Sequence, residues 1–223
     1  TLNRPHVRNA VNYSMLRQLA NAVETLYEER PWAKPINAAA PGFCAGIDLK
    51  ESRDNDVEFM NQRVSLMHAM LGRLRRFPAP VIVVAEGVTV GLGCELAISG
   101  DLRIGSPGTR FSYAEVRVGV PSPTHQLVWL VGLAAAQDML LTGRWVDAVE
   151  AHRIGLLTKV GDDPDAEARD LQACAACGRG DEREHLVDHV RWTRSREVSA
   201  YRRRNERGLD TGSSRSPGGV CRA

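Results

Sequence analysis

The chain has 223 residues, 43% of them hydrophobic and 25% charged, with a formal net charge of +2, the balance of an ordinary soluble globular protein with one main core. That charge marks out neither nucleic acid nor an acidic partner. No apolar run approaches the roughly 18 residues a membrane span needs, and nothing at the start reads as a signal peptide, so a cytoplasmic protein without membrane contact is expected. The five cysteines, Cys44, Cys94, Cys174, Cys177 and Cys221, are odd in number and scattered, which predicts reduced thiols rather than a disulfide framework.

In chain order, Ala10 to Glu29 carries Val11, Met15, Leu16, Leu19, Val23 and Leu26 at helical spacing, with Asn12 or Ser14 placed to cap it. Arg30 to Ala40 holds Pro31 and Pro35 and a run of alanines, so it is expected to be irregular rather than a buried strand. Val57 to Phe77 reads as a helix with Met60, Val64, Met67, Leu71 and Leu74 facing inward and its arginines largely outward, ended by Pro78 and Pro80. Val81 to Ala85 is a valine-rich run predicting a buried strand. Leu92 to Ser99 then predicts a helix and Asp101 to Gly105 a strand. Leu127 to Thr142 predicts a helix broken at Gly132, and Val146 to Ile154 a short helix ended by Gly155. The alternation argues an α/β architecture. Beyond about Gly161 the character changes. From Arg191 arginine, glycine and serine dominate, and a disordered tail is expected from about residue 205.

Two stretches carry chemistry. Phe43-Cys44-Ala45-Gly46-Ile47-Asp48-Leu49-Lys50 and Gly87-Val88-Thr89-Val90-Gly91-Leu92-Gly93-Cys94-Glu95-Leu96 each place small residues at a turn before a helix, where backbone N–H groups are unpaired. Two such starts aimed at one point would hold a carbonyl oxygen that becomes negative during acyl or enolate chemistry. A third stretch, Phe111 to Gly119, brings Glu115, a second carboxylate to set beside Glu95 as an acid/base pair. Each feature has a plainer alternative. The glycines around Leu92 would serve any tight strand-to-helix turn, Glu95 could interact with its helix dipole, and Glu115 could pair with Arg117 at a surface.

With these motifs in order, from Leu2-Asn3-Arg4-Pro5 and Asn9-Ala10-Val11-Asn12 through the two glycine turns to Asp101-Leu102-Arg103-Ile104 and Leu141-Thr142-Gly143-Arg144, the chain resembles the crotonase (enoyl-CoA hydratase/isomerase) superfamily as far as about Val160. The resemblance implies a spiral of ββα units over residues 1–160, an acyl-coenzyme A substrate and trimers, often paired into hexamers. It also implies backbone N–H donors at Ile47 and Leu92, each worth about 3 kcal/mol of barrier, and an acid/base pair in Glu95 and Glu115. Having both carboxylates favours hydration of 2-enoyl-CoA thioesters over double-bond isomerisation. Ala45, Gly46, Asp48, Leu49 and Gly91 would line the substrate site, with Asp48 capping its turn. Lys50, His6 and Arg8 are candidates for the coenzyme's phosphates. No separate cofactor is expected, since coenzyme A enters as part of the substrate.

Against the family pattern, the opening β-hairpin is missing, and Val120-Pro121-Ser122-Pro123-Thr124-His125 replaces a glycine-rich loop, where His125 could contact the acyl group. Residues 161–223 form an atypical C-terminal region, helical in part. Two further function classes therefore stand beside hydration: the isomerase, and a catalytically inactive paralogue that binds acyl-CoA. Cys174 and Cys177 with His185 and His189 could supply four zinc ligands, but the short spacing and lack of a strand pair leave the expectation of no metal site. The arginine-rich end has few interleaved aromatics, so a solvated tail is expected over a nucleic-acid contact.

Overall fold

The computed structural model describes residues 1–29, 34–120 and 125–177. The predicted tail and the His185–His189 pair lie outside these residues, as does the segment 121–124.

Helix α1 (Tyr13–Glu29) begins where Asn12 accepts from the Met15 N–H at 3.0 Å, and it buries Met15, Leu16 and Val23 against helix α3 (Val57–Arg75). Between them come strand β1 (Lys34–Ile36) and the short helix α2 (Leu49–Arg53). Helix α3 turns inward Met67, Leu71 and Leu74, as its periodicity predicts, and Met70 with them, but its face is rotated at the N-terminal end, where Arg63 is buried and Val64 is exposed. Arg63 is accommodated there because its guanidinium meets Ser52 Oγ at 2.7 Å and Glu51 Oε2 at 3.5 Å.

Strands β2 (Val81–Val84), β3 (Val88–Val90), β4 (Leu102–Gly105) and β5 (Arg110–Ser112) follow, with helix α4 (Leu92–Ser99) after β3. Helices α5 (His125–Val131) and α6 (Leu133–Thr142) break at Gly132 as expected, where φ is +80°. The predicted helix from Val146 to Ile154 is instead strand β6 (Val146–Asp147) followed by helix α7 (Ala148–Arg153). Asp147 ends the strand and caps the helix by accepting from the Glu150 N–H at 2.8 Å. Strand β7 (Lys159–Val160) and helix α8 (Pro164–Cys177) complete the described elements.

The strands form two sheets: a parallel one in the order β1-β2-β4-β7, and a smaller one, β3-β5-β6, in which β3 and β5 are parallel and β6 antiparallel. Successive strands alternate between the sheets before the chain turns into a helix. β2 enters the large sheet, β3 the small one, and α4 follows. β4 and β5 repeat the step, and β1 with the Cys44 segment, which bridges Thr89 of β3, anticipates it. This is a spiral of ββα units.

The strand at Lys34–Ile36 corrects the expectation of an irregular segment. Pro35 pairs in register with Ile82, yet β1 lies at the end of its sheet, where a missing N–H leaves no inner ladder bond unmade. Beyond it, Leu2 continues the pairing by donating its N–H to Asn37 O and accepting from the Ala39 N–H, both at 2.8 Å.

Candidate active site

The first glycine turn is held from both sides. Arg8 and Asn9 both have left-handed backbones, φ 52° and 55°, a conformation Asn tolerates better than most residues. Asn9 is fully buried. Its side-chain amide donates to Ala39 O at 2.7 Å and Gly42 O at 2.8 Å, while its oxygen accepts from the Arg4 N–H at 2.7 Å. Replacing it with Ala strands those groups and leaves an alanine with positive φ. Asn9→Ala is expected to lower stability by on the order of 3 kcal/mol, read as a fall in the urea midpoint.

The segment from Arg8 to Val11 then clamps the turn: Ala45 N donates to Arg8 O, Val11 N to Gly46 O and Asp48 N to Val11 O, at 2.8–3.0 Å. Because the peptide groups flanking Ile47 are both spent on Val11, the N–H of Ile47 points the other way, and no protein acceptor among the described residues takes it. Cys44 pairs on the opposite side with β3, accepting from Val90 N at 2.9 Å. Gly46 has φ +91°, and a Cβ there would lie 3.0 Å from Val90 O and 3.7 Å from Leu92 N, so this turn sits directly against the start of α4.

Gly91 caps α4 with φ +53°, and a Cβ on Gly93 would come within 2.4 Å of Cys44 O. Glycine is required at both positions, by backbone conformation at the first and by close approach at the second. As the first residue of the helix, Leu92 has no intrahelical acceptor for its N–H, and none among the described residues replaces it.

Glu95 lies one turn into α4 and is 2% exposed. Its Oε2 faces Arg75 Nη2 at 3.3 Å, and its Oε1 is buried without a protein partner among the described residues. Burial raises its carboxyl to a pKa of about 7. Arg75 opposes that rise, Glu115 adds to it by like-charge repulsion, and Tyr113 opposes it. The buried Tyr113 hydroxyl faces this carboxylate without closing a hydrogen bond of normal length.

Glu115 stands on a 3₁₀ turn, Ala114–Val118, directly after β5. A Cβ added to Gly91 would come within 2.7 Å of Glu115 Oε1, which places this carboxylate over the start of α4; its Oε2 is buried and unpartnered among the described residues. Burial raises its pKa above the ordinary carboxylate value. The surface pairing with Arg117 does not form, for Arg117 donates to Gly143 O at 3.0 Å instead.

Asp48 caps α2, accepting from Lys50 N at 3.2 Å and Glu51 N at 3.4 Å, and from Arg4 Nη1 at 3.0 Å. Against the cost of desolvation, Arg4 and these N–H groups hold its carboxyl below the usual value, the signature of an anchored cap. Leu49 and Lys50 are exposed on α2, and His6 and Arg8 are exposed on the N-terminal segment. Only the backbone of Arg8 is tied to the turn, through Ala45. Cys44 and Cys94 are buried thiols, Cys44 pushed up to about 12 by desolvation and Cys94 well above the ordinary thiol value, so both are unreactive. Among the described residues, no group of three or more His, Cys, Asp or Glu residues stands ready for a metal ion, and no helix is long and apolar enough to cross a membrane.

Sequence reasoning missed Arg75, Tyr113 and the anchoring role of Asn9. Arg75 had a visible signal: it follows Leu71 by four residues, which puts it on the inner stripe of α3. The expectation that the arginines of α3 largely face outward is corrected at both Arg63 and Arg75.

The ββα spiral thus brings paired glycine turns and two carboxylates, one buried and one half-buried, to one helix start. The profile of the enoyl-CoA hydratase/isomerase family matches residues 1–201. A protein of Mycobacterium bovis named as a probable enoyl-CoA hydratase is 35% identical over 175 residues, covering 76% of this chain and 67% of its own. The 2,3-dehydroadipyl-CoA hydratase of Escherichia coli is 33% identical over 165 residues, 72% of this chain and 64% of its own. Among solved structures, an enoyl-CoA hydratase of Mycobacterium smegmatis aligns with a TM-score of 0.80 at 29% identity, over 96% of this chain and 86% of its own. The chain belongs to the enoyl-CoA hydratase/isomerase family, the crotonase superfamily.

Proposed function

We propose that the protein adds water across the double bond of 2-enoyl-CoA thioesters. The observation that carries this reading is the pair of carboxylates, buried Glu95 and half-buried Glu115, beside the start of a helix; each has a buried oxygen, and the helix a first N–H, without a partner among the described residues. The N–H groups of Ile47 and Leu92 would receive the thioester oxygen. As the water oxygen bonds to the β-carbon, its proton passes to one carboxylate. The double-bond electrons move toward the thioester oxygen, where the enolate charge meets donors already oriented and unable to titrate away. The other carboxyl gives its proton to the α-carbon, and the product carries one added water. Isomerisation needs one group to shuttle a single proton, so a second carboxyl at the same helix start supports hydration.

Lys50, Arg8 and His6 are the charges available to the coenzyme's phosphates in this reading, and Ala45, Gly46 and Gly91 the backbone along which the thioester would lie. A trimeric or hexameric assembly remains part of the proposal.

A carboxylate can accept the water proton only when ionised, and both carboxyls are held above the ordinary range, Glu95 at about 7. The acid limb of kcat/KM for crotonyl-CoA is therefore expected near neutral pH, with activity rising as pH increases through it. The apparent values will belong to the coupled pair rather than to either residue alone. A pH–rate profile for enoyl-thioester loss tests this, and a rate unchanged down to about pH 5 contradicts it.

A further inference from the structure

Neither the fold nor the hydration chemistry accounts for the arginine beside the buried glutamate. Arg75 ends α3, whose other inward residues nearby, Leu71 and Leu74, are apolar. Its guanidinium is partly withdrawn from water and is spent on α4, with Nη2 at 3.3 Å from Glu95 Oε2 and Nε at 3.3 Å from Ser99 Oγ. Ser99 in turn donates to Glu95 O at 2.7 Å, so the arginine grips side chain and helix together. With Oε2 engaged, Oε1 is the oxygen left free, and no comparable cation is paired with Glu115 among the described residues.

We propose that Arg75 is a positioning residue for Glu95: its contact with Oε2 supplies the counter-charge that favours the carboxylate form and fixes the side chain, so that Oε1 is presented to the reacting water, while Glu115 has no cationic partner among the described residues. The inference rests on the reading of Glu95 as an acid/base group for its catalytic meaning, but the electrostatic arrangement stands by itself. The groups that act on Glu95 are Arg75 from α3, Glu115 and Tyr113 from the β5 region, and Cys94 on its own helix. Arg76 adjoins Arg75 and is exposed. Of these, Arg75 alone supplies positive charge in contact with the carboxylate. Desolvation would otherwise favour the neutral acid, which cannot take a proton from water. An opposite charge at this distance and burial is an effective counterweight because little solvent lies between the two groups.

The test is a titration of the Glu95 carboxyl carbon by NMR in the ligand-free, ¹³C-labelled protein, the signal assigned by its loss in Glu95→Gln. Wild type and Arg75→Met are compared, with Arg75→Gln in reserve as a neutral variant that keeps a donor in place if the methionine variant does not fold. Removing the charge is expected to move the titration midpoint up by about one pH unit or more. Arg75→Lys should restore most of the difference, and Arg76→Met should leave the midpoint where it is. In the hydration assay the acid limb should move up together with the midpoint, so that the variant is most impaired at low pH and recovers at high pH.

Coincident midpoints in wild type and the neutral variants would overturn the proposal, whatever happens to activity. A purely structural role for Arg75 would lower stability and rate at every pH without moving the midpoint. The two readings fail separately: full activity in Glu95→Gln sinks the acid/base reading, whereas an unmoved midpoint with Glu95→Gln inactive sinks only the role given to Arg75.

Discussion

Glu95→Gln and Glu115→Gln are each expected to lower the turnover of crotonyl-CoA by about 10²–10⁴-fold, the range that a positioned general acid or base contributes. Glutamine keeps the shape of either side chain and removes its capacity to take or give a proton, together with the charge that Glu95 offers Arg75. The folds of both variants should survive, because Glu95 Oε1 and Glu115 Oε2 bond to no described protein group, and a glutamine at 95 keeps an amide oxygen able to accept from Arg75, which also retains Ser99 Oγ. Hydration requires that both losses be large, since one carboxyl must accept from water while the other donates to carbon. A large loss in Glu95→Gln with Glu115→Gln close to wild type on a 3-enoyl substrate would instead assign isomerisation. Coenzyme A thioester binding without turnover in the wild-type protein would assign the inactive, binding-only class.

The second large effect concerns a single hydrogen. Leu92→Pro removes the backbone N–H at the first position of α4, where proline is compatible with a helix and where no described protein acceptor is lost. The Leu92 side chain is buried, so the matched control is Leu92→Ala, which loses the same apolar contact but keeps the amide. Relative to Leu92→Ala, Leu92→Pro is expected to lower kcat by a further 10²–10³-fold, about the value of one oxyanion donor. Equal rates in the two variants, with both folded by circular dichroism, would remove Leu92 from the oxyanion role. This comparison separates the backbone from the side chain at a position where sequence comparison reads only the side chain.

The helices were legible because their apolar residues recur at helical spacing and their ends carry recognisable caps and breakers: Asn12 before α1, Gly132 between α5 and α6, and the prolines after α3. Strands β3 and β5 were not, because each is three residues long and embedded in a turn-like stretch, too short for a period of two to register. Pro35 concealed β1 for a different reason. Its effect on a strand depends on whether the strand is central or at an edge, and that is a property of the sheet order rather than of the local sequence. At the site, Glu95, Glu115 and the two glycine turns were readable from residue type and order. Asn9 and Arg75 were not, since their roles come from partners 30 and 33 residues away and 20 residues away, respectively. Long-range anchoring of this kind leaves only an indirect trace, a polar residue on an otherwise apolar stripe.

The most direct measurement is incubation of the purified protein with crotonyl-CoA in ¹⁸O-enriched water, followed by mass spectrometry of the thioester. The account predicts a 3-hydroxyacyl product that carries one solvent oxygen at the β-carbon and accumulates in proportion to the enzyme present. Recovery of unlabelled crotonyl-CoA under conditions where the protein is folded and binds coenzyme A thioesters would contradict it.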